Sequence, residues 1–342
     1  MSPSTPESED RLIAWLRRQD PDLRESIGDD AAFLPPEREG RAVTMDSQIE
    51  GVHFVPGLPP EVLARRLLAV NLSDLAAVGA RPDSAFLALA APTAFDRRRF
   101  FSAFLESCRE FGVRLSGGDL ATSDRIALTL TLLGKPFSER GWLRRDRGRR
   151  GHSLWLGEGE LGKSAVGRIL LSDGARLSTR DGKTALVLPR RLRIPIHLKE
   201  TAFRAIEKHL LPKPQLKLGR WLASLRLPVA AIDLSDGFAK DLRRLCKASG
   251  VGARIDRTAL KMAPALRELS ICIGREPEAL SLGGGEDYLL LFSLPEEVAA
   301  PEPKGCRRVG ELTPEPEILW GGGRSWEEVP DLGWDHLEGK DR

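Results

Sequence analysis

The hydrophobic pattern predicts a short amphipathic helix over residues 10–18 (DRLIAWLRR), where Leu12, Ile13 and Leu16 fall on one side. A strand is expected over 42–49 (AVTMDSQI) and a long helix over 60–79 (PEVLARRLLAVNLSDLAAVG), with Pro60 suited to its first turn and Gly79 to its end. Residues 84–91 and 126–133 (IALTLTLL) are expected as buried strands, with a helix over 96–111 between them. The first half therefore alternates strands and helices. A Gly/Pro/Arg-rich stretch at 134–151 (GKPFSERGWLRRDRGRRG) breaks the pattern and sets a domain boundary near its start. Beyond it, strands are expected at 153–157, 229–233, 252–256, 288–294 and 306–312, and helices at 164–172, 199–210, 238–248 and 262–272. One echo links the halves: NLSDLAAVGAR at 71–81 and DLSDGFAKDLRR at 233–244 share L-S-D at or within a helical segment.

A chain of 342 residues allows two ordinary domains, each able to bury a core. With 41% hydrophobic and 30% charged residues, a disordered or collagen-like chain is excluded. No apolar run approaches the length of a membrane span, and MSPSTPESEDR lacks the basic start and apolar core of a secretion signal. Cys108, Cys246, Cys272 and Cys306 show no metal-type spacing and read as buried thiols in a reducing cytosol, so a cytoplasmic location is expected. A net charge of +3 gives no reason to expect nucleic acid as a partner, and no membrane partner is expected either.

The aspartates change this picture. Asp29 and Asp30 follow Gly28. Asp46 ends AVTM, and Asp74 sits inside a helix of Leu, Ala and Val. Asp119 follows Gly117-Gly118. Asp233 ends LPVAAI, with Asp236 three residues on. Glu286 and Asp287 follow three glycines and precede YLLLF. A carboxylate where an apolar element ends is costly unless it is paired or bound to a cation. Any one of them is explained by a turn or a helix cap, and Asp236 is a good N-cap. Asp74 is harder to explain that way. Six or more such sites with few His or Cys point to a hard cation such as Mg²⁺, and several Mg²⁺ ions imply a polyphosphate substrate.

Residues 157–164 (GEGELGKS) match G-x-x-x-x-G-K-[ST] between an expected strand and an expected helix, so a P-loop nucleotidase or kinase is a second reading. It leaves the acids of the first half unexplained.

Seven segments taken together, IGDDAAFL (27–34), TMDSQIEGVHF (44–54), NLSDLAAVGARP (71–82), SGGDLATSD (116–124), AIDLSDGFAKDL (231–242), ASGVGARID (248–256) and GGGEDYLLLF (283–292), resemble thiamine-monophosphate kinase in that family's order. The resemblance implies an α/β, two-domain fold of the aminoimidazole ribonucleotide synthetase type. It would have an N-terminal ATP-binding domain (1–137) and a C-terminal α/β domain (138–342), paired as a homodimer through N-terminal strands. It implies transfer of phosphate from ATP to thiamine monophosphate with several Mg²⁺ ions. By position it makes Asp30, Thr44, Asp46, Asp74, Asp119, Asp233 and Asp236 metal ligands. Gly118, Asp119, Arg145 and Ser235 become ATP contacts. His53, Glu286 and Trp334, the last in GWDHL (333–337), become contacts to thiamine monophosphate. Asp46, Asp119, Asp236 and Arg145 carry the catalysis in this reading. The sequence departs from the family pattern at Met45, where a hydroxyl is usual, at Lys163, where Asp is usual, and at Gln215, where Arg is frequent. Met45 keeps open a relative that binds nucleotide without catalysis.

Overall fold

The computed structural model describes residues 32–34, 40–137, 141–180, 183–225, 227–296, 305–323, 325–335 and 340–341. The expected helix at 10–18, and Asp30 with it, lie outside the described residues.

The first sheet holds β1 (Ala32–Leu34), β2 (Arg41–Ile49), β3 (Ala80–Ala91), β4 (Arg114–Thr122) and β5 (Ala127–Pro136), in the order β1-β2-β5-β3-β4. Only β3 and β4 pair in parallel. Two helices cover one face: α1 (Pro60–Ala77) joins β2 to β3, and α2 (Arg97–Phe111) joins β3 to β4. Asp96 caps α2 by accepting from the Arg99 N–H at 2.9 Å, and Gly112 ends it in the left-handed conformation. α1 begins at Pro60 and stops before Gly79 (φ +66°), close to expectation. Leu67, Leu68, Leu72 and Leu75 are fully buried on it, each contributing about 1.5–3 kcal/mol. A helix buried on nearly all sides, as α1 is, belongs to a core shared by several layers.

The second sheet is built from β6 (His152–Leu156), β9 (Ala231–Asp233), β10 (Gly252–Asp256), β11 (Leu290–Pro295), β12 (Arg307–Thr313), β13 (Ile318–Gly322) and β14 (Ser325–Glu328). Its order is β14-β13-β10-β12-β6-β11-β9. The helices of this half are α3 (Lys163–Ser172), α4 (Lys199–Leu210), α5 (Leu216–Ser224), α6 (Phe238–Ser249), α7 (Pro264–Cys272) and α8 (Pro277–Gly283). Two small hairpins complete the described chain, β7 (Arg176–Arg180) with β8 (Lys183–Val187) and β15 (Trp334–Asp335) with β16 (Lys340–Asp341). Among the described residues no helix is long and apolar enough to cross a membrane. Cys108 and Cys246 are buried, but Cys272 is exposed and Cys306 half-buried, so the expectation of buried thiols holds for two of the four.

The largest core runs across both halves. It joins Leu87, Phe100, Leu128 and Leu130 of the first sheet and its helices to Val166, Ala202, Ile206 and Leu269 of α3, α4 and α7. Two glycines permit the closest approaches. A methyl group at Gly219 on α5 would fall 2.1 Å from the Ala76 carbonyl oxygen of α1, and one at Gly167 on α3 would fall 2.1 Å from the Ala205 carbonyl oxygen of α4. The mixed α/β architecture agrees with the expectation from sequence. Among the described residues the expected elements recur within a few residues, whereas β1, β4, β7, β8, α5, α8 and β13 to β16 were not foreseen.

Candidate active site

α1 is the organising element. Thr44 Oγ1 on β2 donates to Asp74 Oδ2 on α1 at 2.5 Å, and Arg66 Nε on α1 donates to Gln48 Oε1 on β2 at 3.0 Å. Eight helical residues span about 12 Å and four strand residues about 13 Å. The helix thus runs antiparallel to β2 with matched rise, and both contacts close. The strand period puts Thr44, Asp46 and Gln48 on the face toward α1. The adjacent α1 residue, Ser73, donates from Oγ to Asp233 Oδ2 at the end of β9 at 2.7 Å. Asp233 is only 2% exposed. Helix α1 therefore joins the acids of the first sheet to those of the second.

Asp46 is held by the Ser47 N–H at 3.0 Å. Burial pushes its carboxyl up to about 7; the Ser47 N–H and Arg66 oppose the rise, while Glu286 and Asp236 add to it. Asp236 lies just before α6, paired with Arg244 at 2.7 Å and Lys240 at 3.6 Å. It does not cap α6. The N-cap position is held by Gly237, and Asp241 inside the helix accepts from the Asp236 and Gly237 N–H groups at 3.0 and 3.2 Å. Burial lifts Asp241 to about 7, against the pull of Arg244.

The turn at 286–288 sends three side chains in three directions. Glu286 and Tyr288 have φ of +55° and +48°, a left-handed backbone that is strained for residues with a Cβ. The Glu286 N–H donates to the Ser235 carbonyl at 2.6 Å. Its carboxylate meets Arg66 and, at 3.3 Å, His209 Nδ1. Burial alone would raise Glu286, but Arg66 and His209 hold it well below the usual carboxylate range. The buried Tyr288 phenol is pushed well above its ordinary value, first by burial and then by Glu286.

The remaining expected residues divide into two groups. Ser235 touches Glu286 through its carbonyl. Trp334 is tied to the site by its own N–H, which donates to the Asp236 carbonyl at 2.9 Å, and by Lys240 Nζ, which donates to the Trp334 carbonyl. Arg145 lies in a one-turn 3₁₀ helix packed on α6, where its charge acts on Asp241. His53 folds back so that Nδ1 accepts from the Ile49 N–H at 3.0 Å, just past the end of β2. Gly118 and Asp119 stand apart. They lie on the exposed edge strand β4, three strands from β2, which is about 14 Å. Asp119 shares a row with Ala88 and Thr129, on the face turned away from α1. Within one chain, Asp119 and Asp46 do not meet. Among the described residues no three acids, imidazoles or thiols converge into a complete ion site.

Comparison with known proteins decides the family. Residues 28–135 match the model for the AIR synthase related protein, N-terminal domain. The chain is 33% identical to a thiamine-monophosphate kinase of Haemophilus influenzae over 283 residues, 81% of this chain and 77% of that one. It is 36% identical to that of Escherichia coli over 292 residues, 84% and 81% of the two chains. The chain belongs to the thiamine-monophosphate kinase family. The solved structure of AaThiL complexed with AMPPCP and TMP is similar, with a TM-score of 0.79 at 26% identity over 96% of this chain and 97% of that one. Hydrogenase maturation protein HypE in complex with ATP shares the fold, with a TM-score of 0.63 at 18% identity over 98% and 97%.

The family's departures in this chain have local explanations. In GEGELGKS, two of the N–H groups that would receive a phosphate are taken: Gly162 N donates to Asp287 Oδ2 at 2.6 Å and Ser164 N to Asp287 Oδ1 at 3.1 Å. Lys163 pairs with Glu160 at 2.7 Å. The loop thus binds an anion, but the anion is the protein's own carboxylate. Lys163→Ala is expected to change kcat by less than about threefold, where a P-loop lysine would cost at least about 10²-fold; steady-state kinetics decides between them. Met45 is 67% exposed on the sheet face opposite Thr44 and Asp46, so its side chain does not enter the Thr44–Asp74 contact. Gln215 bridges two backbones, donating to the Glu158 carbonyl and accepting from the Leu290 N–H, both at 2.8 Å.

Sequence reasoning passed over Arg66, His209 and Asp241. Arg66 had a signal: it lies seven residues before Ser73, hence on the same helical face, within an apolar run. His209 had none, because its place depends on how α4 packs.

Proposed function

We propose that this chain transfers the γ-phosphate of ATP to thiamine monophosphate, giving thiamine diphosphate and ADP. The observation that carries this reading is the pair of contacts Thr44–Asp74 and Ser73–Asp233, which brings acids from both sheets to one helix beside Asp46. Donor and acceptor are both phosphates, and at 4 Å with an effective dielectric near 20 each pair of unit charges repels by about 4 kcal/mol. Carboxylates raise that barrier unless a cation lies between. The donor set is all hard oxygen and suits Mg²⁺, which would supply charge neutralisation. Asp30, Thr44, Asp46, Asp74, Asp233 and Asp236 are the residues that would hold it. Arg145, whose charge acts on Asp241, would steady the transferring group, with Gly118 and Ser235 serving ATP. The acceptor oxygen is already anionic, so no general base is required, and in-line attack follows from positioning. The thiazolium ring is a cation, which suits the aromatic face of Trp334 and the carboxylate of Glu286, with His53 completing the acceptor site.

The reading includes a homodimer. Met45, Phe86 and Ile49 expose apolar surface on the uncovered face of the first sheet. β4 is an edge strand, and the described residues pair the outer side of β2 only at 41–43. Two such edges, unpaired among the described residues of one copy, invite pairing with a second. Joining β4 of one copy to the β2 side of another would bring the edge that carries Gly118 and Asp119 next to the strand that carries the other copy's Asp46. We place the domain boundary at 137/138, between β5 and β6.

Purified protein with ATP, Mg²⁺ and thiamine monophosphate should yield thiamine diphosphate by chromatography; absence of product overturns the reading. Mixing inactive Asp46→Asn with inactive Asp119→Asn protein under subunit exchange should restore activity, because one site of each mixed dimer keeps both acids. No recovery despite exchange rejects the shared site.

A further inference from the structure

Arg66 is 1% exposed, in the middle of a helix whose buried residues are mostly Leu, Ala and Val. A buried guanidinium is costly unless every edge finds an acceptor. Here each edge reaches a different element. Nε donates to Gln48 Oε1 of β2 at 3.0 Å. One Nη donates to the His209 carbonyl at the C-terminal end of α4, where the helix dipole favours a cation. The other donates to Glu286 Oε1. Glu286 in turn sits on a left-handed backbone, its second oxygen facing His209, with 21% of its side chain still exposed. Its orientation is thus fixed from three sides, and Arg66 supplies the only fully buried cation among the described partners of its carboxylate.

We infer that Arg66 is a positioning residue for the acceptor site: by spanning Gln48, His209 and Glu286 it fixes the Glu286 carboxylate for the thiazolium ring of thiamine monophosphate without itself touching a reacting atom. This rests on the reading of Glu286 as an acceptor contact. A guanidinium is a planar fork whose donors point in several directions, whereas an ammonium is a point donor that cannot hold three separated acceptors in place. Charge alone is therefore not enough for the role.

The test compares Arg66→Lys, Gln48→Leu and Glu286→Gln in the full-length protein. Arg66→Lys should raise the KM for thiamine monophosphate about tenfold, with the KM for ATP within about twofold and kcat within about threefold. Gln48→Leu, which removes only the Nε acceptor and keeps the cation, should shift the same KM in the same direction by about threefold. Glu286→Gln should match Arg66→Lys, and the double variant should be no worse than either, since both act through one carboxylate. A purely structural Arg66 would lower the melting temperature and leave the split between the two KM values unchanged. If Glu286→Gln raises the KM but folded Arg66→Lys and Gln48→Leu do not, the inference on Arg66 is overturned while the Glu286 reading stands. If Glu286→Gln leaves the KM unchanged, both fall.

Discussion

Asp46→Asn is expected to leave a folded protein that no longer makes thiamine diphosphate, with kcat reduced by at least roughly 10²–10³-fold. The substitution keeps the volume of the side chain and an oxygen for the Ser47 N–H. What it removes is a negative charge that burial already disfavours and that Glu286 and Asp236 disfavour further. The ligand-free variant should therefore melt no lower than the parent, since relieving a crowded carboxylate costs the fold nothing. Activity and melting temperature measured on the same preparation check both halves. Near-normal turnover would remove Asp46 from the chemistry, and a large drop in melting temperature would recast it as a structural residue.

The second large effect is on stability and comes from a residue with no side chain. Gly219→Val is expected to cost about 3 kcal/mol or more, because its Cβ would fall 2.1 Å from the Ala76 carbonyl oxygen, with backbone on both sides and nothing free to yield. For a chain of this size the apparent melting temperature should fall by roughly 4 °C or more. Gly250 provides the control. It ends α6 with φ +66° but faces open space, so Gly250→Asn should cost less than about 1 kcal/mol. Equal effects at the two sites would mean that the contact between α5 and α1 does not matter.

Local chemistry explains which features the sequence disclosed. α1 was legible because an apolar run between Pro60 and Gly79 has one structural interpretation. Asp46 and Asp74 stood out because acids at the ends or in the middle of apolar elements demand a reason, whereas Thr44 came only from the family resemblance. β4 was missed because its residues (RLSGGDLAT) are glycine-rich and exposed, and nothing in their pattern shows that β3 lies beside them. The Asp236 N-cap expectation failed for a similar reason. The sequence shows an Asp before a helix, but the N-cap falls one residue later on Gly237, and the Asp236 carboxylate turns to Arg244 and Lys240 instead. GEGELGKS gave a misleading signal, since a glycine-rich turn into a helix serves an internal carboxylate as well as a phosphate. His209 and Arg66 belong to a network closed by residues 143 and 220 positions apart, and no local pattern carries that information.

The matched rise of α1 and β2 also limits how this gene can change. Substitutions between positions 66 and 74 alter single contacts, but one added codon would swing everything downstream by about 100° and 1.5 Å. Arg66 could then keep Gln48 only if Asp74 lost Thr44, and Ser73 would turn away from Asp233. Length variation among related genes should accordingly concentrate in the loops and spare this stretch.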